Sequence, residues 1–216
     1  FTGGTIETKF AKEYLSNHNF DTIIGGDSGL NMVDALNLSP DYIVGDFDSV
    51  SKDILDKNLN GKAARNGKHP FIKSYSFNKD YTDTHLGIKL AMSIGATDIT
   101  ILGATGSRMD HFMSNVSLLI QPLQHNVRAF IVDSNNKIYL IDSNTSIKKD
   151  EAFGTYYSLL PFTQEVFGVT LIGFKYPLYE KDIMLGESIG ISNEIHDEEA
   201  FIEIKKGILI AIESKD

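Results

Sequence analysis

The chain of 216 residues contains no cysteine. Disulfides and thiolate metal sites are therefore excluded, and the composition is compatible with a reducing compartment. Basic charge is also scarce. Twenty Lys and Arg stand against 29 Asp and Glu, a formal net charge of −9. That balance argues against a generic nucleic-acid or anionic-membrane surface. It does not argue against a phosphorylated ligand, because a bound cation reconciles carboxylates with phosphates. No apolar run approaches the roughly 18–20 residues of a membrane span, and no signal peptide is visible. A cytoplasmic, membrane-free protein is expected. Phe1 is not a natural start, so a few leading residues are expected to be missing. There is no internal repeat, low-complexity tract or long polar linker. Two Asn-x-Ser sites, at Asn115 and Asn144, carry no weight without a secretion signal.

What the chain does contain is enough apolar material for a core, 42% hydrophobic with 23% charged. Its length suits one or two domains. Residues 22–25 (TIIG), 42–45 (YIVG), 71–75 (FIKSY), 99–103 (ITILG) and 127–132 (VRAFIV) are short β-rich apolar runs. Such runs suit strands buried on both faces. Helical patterns lie between them. Leu86, Leu90 and Ile94 recur at i, i+4 and i+8, and Met113, Val116 and Ile120 at i, i+3 and i+7. The alternation predicts a mostly parallel, Rossmann-like α/β/α domain. After about residue 135 the pattern changes to strands at regular spacing, over 137–141, 155–160, 168–173, 188–195, 201–205 and 208–213. This predicts an antiparallel β-sandwich or barrel. The expected domains are 1–138 and 139–216.

The polar residues are placed by position. Ligands of open parallel sheets bind beyond the carboxyl ends of the strands. Here the first run leads into Gly26-Asp27-Ser28-Gly29 and the second into Asp46-Phe47-Asp48-Ser49. The third leads to Asn78-Lys79-Asp80-Tyr81-Thr82-Asp83, and the fourth into Ala104-Thr105-Gly106-Ser107-Arg108-Met109-Asp110-His111. Residues 1–4 (FTGG) read as the end of another strand with its own glycine turn. Polar clusters at one sheet edge point to a shared crevice.

Each cluster has a plain alternative. Asp46 and Asp48 alternate across Phe47, so an extended segment directs both carboxylates to one side. Two hard oxygen donors suit magnesium beside phosphates, yet an Asx-turn explains them too. Thr82 or Asp83 can simply cap the following helix. Asn78 and Lys79 just before add an acid–base mixture suited to phosphate and metal together. Gly103 and Gly106 let backbone N–H groups approach phosphate, and Arg108 can clamp its oxygens. No Gly-Lys-Ser/Thr follows, so this is not a Walker A loop. Asp110 and His111 also fit capping. The remaining histidines show no metal-ligand spacing.

Taken in order, these motifs resemble those of the thiamine pyrophosphokinase (thiamine diphosphokinase) family. The resemblance runs through nearly the whole chain. It extends to Gly173-Phe174-Lys175-Tyr176-Pro177-Leu178 and Gly190-Ile191-Ser192-Asn193-Glu194 in the β part. Two departures stand out. Ser107 replaces one of the consecutive glycines usual before the arginine, and His85 stands where many members have an acidic residue. The resemblance implies ATP + thiamine → AMP + thiamine diphosphate. It implies magnesium on Asp46, Asp48 and Asp80, with Asp83 a further ligand or an orienter of the hydroxyl. Arg108 is implied to stabilise phosphate charge, and Asp110 to contact nucleophile or metal or act as a base. Asp27, Asn31, Asn78, Lys79, Gly103, Gly106 and His111 are implied near ATP, and Tyr176, Ser192 and Asn193 near thiamine. A homodimer is implied, with thiamine between the α/β domain of one subunit and the β domain of the other.

Three rivals remain. Asp46-Phe47-Asp48-Ser49-Val50 fits a haloacid-dehalogenase-type phosphatase, although that class usually carries its nucleophile on the first strand. A catalytically silent thiamine or nucleotide sensor need not keep the full acidic set. A nicotinamide dehydrogenase lacks its Gly-x-Gly-x-x-Gly here.

Overall fold

The computed structural model describes residues 1–46, 50, 52–57, 70–74 and 81–216. The chain divides into two compact units, Phe1–Ser134 and Asn135–Asp216. In the first unit the order is α1 (Thr8–Asn17), β1 (Ile24–Gly26), α2 (Gly29–Ala35), β2 (Tyr42–Gly45), α3 (Lys52–Asp56), β3 (Phe71–Ser74) and α4 (Asp83–Ser93). Then come β4 (Asp98–Leu102), α5 (Met109–Leu118), α6 (Ile120–Gln124) and β5 (Arg128–Val132).

These strands pair in parallel, but not as one sheet. β1, β2 and β3 form a three-stranded sheet, with Gly26 opposite Val44 and Gly45 opposite Ser74. β4 and β5 form a separate parallel ladder. Between β1 and β4 lies a cavity of about 500 Å³, lined by Ile24, Val44, Ile88, Ile99 and Ile101 among others. Phe1 and Thr2 hydrogen-bond to its two sides. The Phe1 backbone nitrogen donates to the Ile24 carbonyl at 2.9 Å, and the Gly26 N–H donates to Phe1 O at 2.8 Å. The Thr2 N–H donates to Leu102 O at 2.9 Å. The chain then turns at Gly3-Gly4. The expected Rossmann-like α/β/α domain is therefore corrected. The described residues form a mixed, strand-rich fold whose helices are few and short, the longest being the 11-residue α4.

Local physics explains the helices that do form. α4 starts where the Thr82 hydroxyl accepts the His85 N–H at 3.3 Å, satisfying one of the open donors of a first turn. It buries Leu86, Ile88, Leu90 and Ala91. Ile94, expected on the same stripe, is the C-cap residue and 40% exposed. The stripe expected at Met113, Val116 and Ile120 also fails, because α5 ends at Leu118 and α6 restarts at Ile120. Met113 faces outward, while Asn115, Val116 and Leu119 turn inward.

The second unit contains β6 (Asn136–Ile141), β7 (Thr145–Lys148), β8 (Tyr156–Pro161), β9 (Glu165–Ile172), β10 (Leu178–Met184), β11 (Asn193–Glu194), β12 (Glu199–Glu203) and β13 (Leu209–Ser214). β11, β8, β13 and β6 pair antiparallel in that order. β10, β9, β12 and β7 form a four-stranded antiparallel sheet. Alternate residues from both sets meet in one core that includes Tyr157, Leu159, Val166, Leu171, Ile183, Ile202 and Leu209. Burying an aliphatic side chain of this size contributes about 1.5–3 kcal/mol. The strand expected over 188–195 is instead a turn followed by the two-residue β11. β7 and β10 were not expected. β10 reads LYEKDIM and its pairing with β9 slips twice, so charge and bulges mask the alternation, as is common in edge strands.

Candidate active site

In the first unit, two of the expected acidic residues follow the carboxyl ends of β1 and β2, and a third, Asp83, opens α4 beside Gly26. Asp27 follows β1 with a left-handed backbone, φ 37°. Its N–H donates to Val44 O at 2.9 Å and its carbonyl accepts the Leu30 N–H at 3.0 Å. Its side chain is only 7% exposed, and among the described residues Oδ1 has no hydrogen-bond partner. A buried carboxylate oxygen without a donor is costly unless a ligand or cation meets it. Asp46 follows β2 directly. The glycine before it, Gly45, lies so close to Asp27 that an added Cβ would be 3.3 Å from the Asp27 Cβ. Asp83 opens α4, and a Cβ on Gly26 would lie 3.8 Å from its Cβ. The Thr2 and Thr84 hydroxyls, 2.8 Å apart and buried, fasten the start of α4 to the opening segment.

The turn after β4 packs against residues 1–5. The Gly4 N–H donates to Gly103 O at 2.7 Å and the Thr5 N–H to Thr105 O at 2.9 Å. Gly103 has φ 86° and would direct any side chain onto the Thr2 carbonyl, so only glycine fits. Asn115, buried on α5, donates from Nδ2 to Ala104 O at 2.8 Å. Sequence reasoning missed Asn115. Its one signal was a polar residue beside the apolar Val116. Gly106 is exposed at the same turn, and His111 and Asn31 are exposed on α5 and α2.

Arg108 and Asp110 meet each other. Arg108 Nε and Nη2 donate to Asp110 Oδ1 and Oδ2 at 3.2 and 2.5 Å, with both side chains well exposed. The hydrogen-bonded guanidinium holds the Asp110 carboxyl at about 2. A carboxylate so weakly basic is poorly matched to proton abstraction near neutral pH. The Arg108 guanidinium is thus already paired with a carboxylate two residues on.

Asp48, Asn78, Lys79 and Asp80 lie outside the described residues. Among the described residues no group of three His, Cys, Asp or Glu side chains is arranged to hold a metal. The available donors suit a hard cation nevertheless. They are carboxylate oxygens, one of them buried at Asp27 without a hydrogen-bond partner among the described residues.

In the second unit, Tyr176 and Ser192 are exposed and Asn193 is buried. Ser192 has φ 54°, and its N–H donates to Ser158 Oγ at 2.9 Å. Asn193 Oδ1 accepts the Tyr176 N–H at 3.0 Å, and Nδ2 donates to Tyr176 O at 2.8 Å. The Lys175 ammonium meets Glu194 Oε1 at 2.6 Å and lies 5.6 Å from the Tyr176 ring centroid.

Comparison with known proteins bears on both units. The family model described as the thiamin pyrophosphokinase catalytic domain matches residues 12–131. The model described as the thiamin pyrophosphokinase vitamin B1 binding domain matches residues 144–209. The thiamine pyrophosphokinase of Bacillus subtilis (strain 168) is 36% identical over 195 residues, 89% of this chain and 87% of that protein. A crystal structure of thiamine pyrophosphokinase from Bacillus subtilis superposes with a TM-score of 0.83, covering 99% of this chain and 96% of that one at 31% identity. The yeast thiamin pyrophosphokinase structure shares the fold at 17% identity, with a TM-score of 0.77 over 99% of this chain and 84% of that one. The chain belongs to the thiamin pyrophosphokinase family.

Proposed function

We infer that this chain transfers the pyrophosphoryl group of ATP to the hydroxyl of thiamine, giving AMP and thiamine diphosphate. The observation that supports this reading best is the placement of Asp27 and Asp46 just after β1 and β2, with Asp83 at the adjoining start of α4 and, among the described residues, one buried Asp27 oxygen without a hydrogen-bond partner. The thiamine hydroxyl attacks the β-phosphorus in line, the bond from that phosphorus to the α-phosphate oxygen breaks, and AMP leaves. Such a step needs positioning and charge neutralisation more than covalent help.

Asp46, Asp48 and Asp80 are the proposed magnesium ligands, and the ion neutralises phosphate charge when bound. Asp83 orients the attacking hydroxyl or completes the ligand set. Arg108 exchanges Asp110 for phosphate oxygens. Asp27, Asn31, Asn78, Lys79, Gly103, Gly106 and His111 line the ATP side. Tyr176 and Ser192 face thiamine. Asp110 serves as the resting partner of Arg108. The enzyme is proposed to act as a cytoplasmic homodimer. Among the described residues no helix is long and apolar enough to cross a membrane.

Incubation with ATP, magnesium and thiamine, followed by separation of AMP from ADP, tests this reading. AMP formed only when thiamine is present supports it. ADP means an ordinary kinase, and inorganic phosphate with an aspartyl-phosphate means a phosphatase. Tight thiamine binding without turnover means a sensor.

A further inference from the structure

Tyr176 and Ser192 lie on different segments, and both present exposed side chains. Something must hold them in a constant relation if they are to recognise one small ring system. Main-chain pairing does part of this. The Lys175 N–H donates to Glu194 O at 2.9 Å, and the Leu159 N–H donates to Gly190 O at 2.8 Å. The remainder comes from two buried side chains. Asn193 is 5% exposed. Its Oδ1 accepts both the Tyr176 and Glu194 N–H groups at 3.0 Å, and its Nδ2 donates to Tyr176 O. Both backbone polar groups of Tyr176 therefore end on one amide. Ser158 is 8% exposed on β8, and its Oγ accepts the Ser192 N–H. Ser192 needs that acceptor because its left-handed φ of 54° takes it out of the β11–β8 ladder, which begins at Asn193. A serine in that conformation persists only where its surroundings overdetermine it.

We propose that Asn193 and Ser158 are positioning residues for thiamine recognition, Asn193 fixing the backbone of Tyr176 and Ser158 fixing that of Ser192. Asn193 is thereby a clamp rather than a contact, since its oxygen is spent on two N–H groups of the chain. The proposal rests on the reading of Tyr176 and Ser192 as thiamine-facing. It adds Ser158, a residue that carries no motif of its own.

Steady-state kinetics of four variants separates the possibilities. Ser158→Ala removes the acceptor without adding bulk, and its thiamine KM is expected to rise about 10-fold with the ATP KM unchanged. Ser158→Thr keeps a hydroxyl and is expected to return the thiamine KM toward the parent value. Asn193→Asp keeps the two accepted bonds but sets a carboxylate oxygen against Tyr176 O, so it raises the thiamine KM in the same selective way. A residue with only a structural role would lower the melting temperature and the active fraction, reducing kcat while leaving both KM values alone. That outcome overturns the proposal, as does an unchanged thiamine KM in Ser158→Ala and Asn193→Asp. Ser192→Ala reports on the underlying reading. If it leaves the thiamine KM unchanged while Ser158→Ala raises it, the serine hydroxyl is not the contact but the positioning role stands. If Ser192→Ala raises it and Ser158→Ala does not, the contact stands and the positioning role falls.

Discussion

The two units build their candidate sites by different means. In the first, main-chain bonds set most of the geometry, helped by the Thr2–Thr84 pair and Asn115, and the carboxylates are left for chemistry. Glycines at 26, 45 and 103 bring segments close, main-chain bonds from Asp27, Gly4 and Thr5 close the turns, and carboxylates remain at the sheet edge. In the second, side chains set the geometry. Asn193 and Ser158 are spent on holding main-chain groups, and the exposed residues they hold are Tyr176 and Ser192. The difference follows from what each site is proposed to bind. A polyphosphate is met by charge and by N–H groups, which a glycine turn can supply. A neutral or singly charged ring is met by shape, which needs rigid support.

That contrast can be broken at its strongest point first. Asp46→Asn removes charge without bulk, so turnover is expected to fall by about 1000-fold while the unfolding transition stays in place. Near-parent synthesis of thiamine diphosphate at saturating magnesium would remove Asp46 from the site.

The second unit is expected to respond in stability instead. Glu213 is 2% exposed on β13. It accepts the Phe153 N–H at 2.6 Å and faces Lys137 Nζ at 3.2 Å. The Tyr139 and Tyr157 hydroxyls lie 2.7 Å apart in the same region. Burial, then Tyr157 and Glu213, push the Tyr139 phenol well above its usual range. Lys137→Met leaves the glutamate without its cation and is expected to cost about 2 kcal/mol of unfolding free energy in denaturant titration. An unchanged midpoint would show that the Phe153 N–H and the tyrosines suffice.

The smallest effect concerns Asp110. Its pKa is depressed, so the charged form and the ion pair are present above about 2 and are lost only as pH falls through that value. No titration of Asp110 then falls within the working range. Asp110→Asn is expected to move neither limb of the kcat/KM profile between about pH 5 and 9. A limb that shifts on this substitution would return the role of general base to Asp110.

The places of the polar residues along the chain were more legible in the sequence than the fold. Asp27, Asp46 and Asp83 stand at strand ends or a helix start because polar residues there break short apolar runs, and such breaks are visible in one dimension. The parallel runs were also visible, but not how far they join. The segment at residues 1–4 bonds to both sides and then turns, a geometry set by Gly3-Gly4 packing against Ser28 and Gly103. Helix faces were misread where a polar residue is drawn inward by a distant acceptor, as Asn115 is by Ala104. β7 and β10 were missed because edge strands need no clean alternation.

The sequence by itself determined the change of pattern near residue 135, the acidic and glycine clusters, and the family they belong to. These depend on residue identity and spacing, which chain order preserves. Only the tertiary structure decided which groups meet. It buried one oxygen of Asp27 with no hydrogen-bond partner among the described residues, tied Asp110 to Arg108, and turned Asn193 inward beneath Tyr176. Each of those outcomes depends on backbone dihedrals and on partners far along the chain or around a turn. Residue type limits such choices without making them.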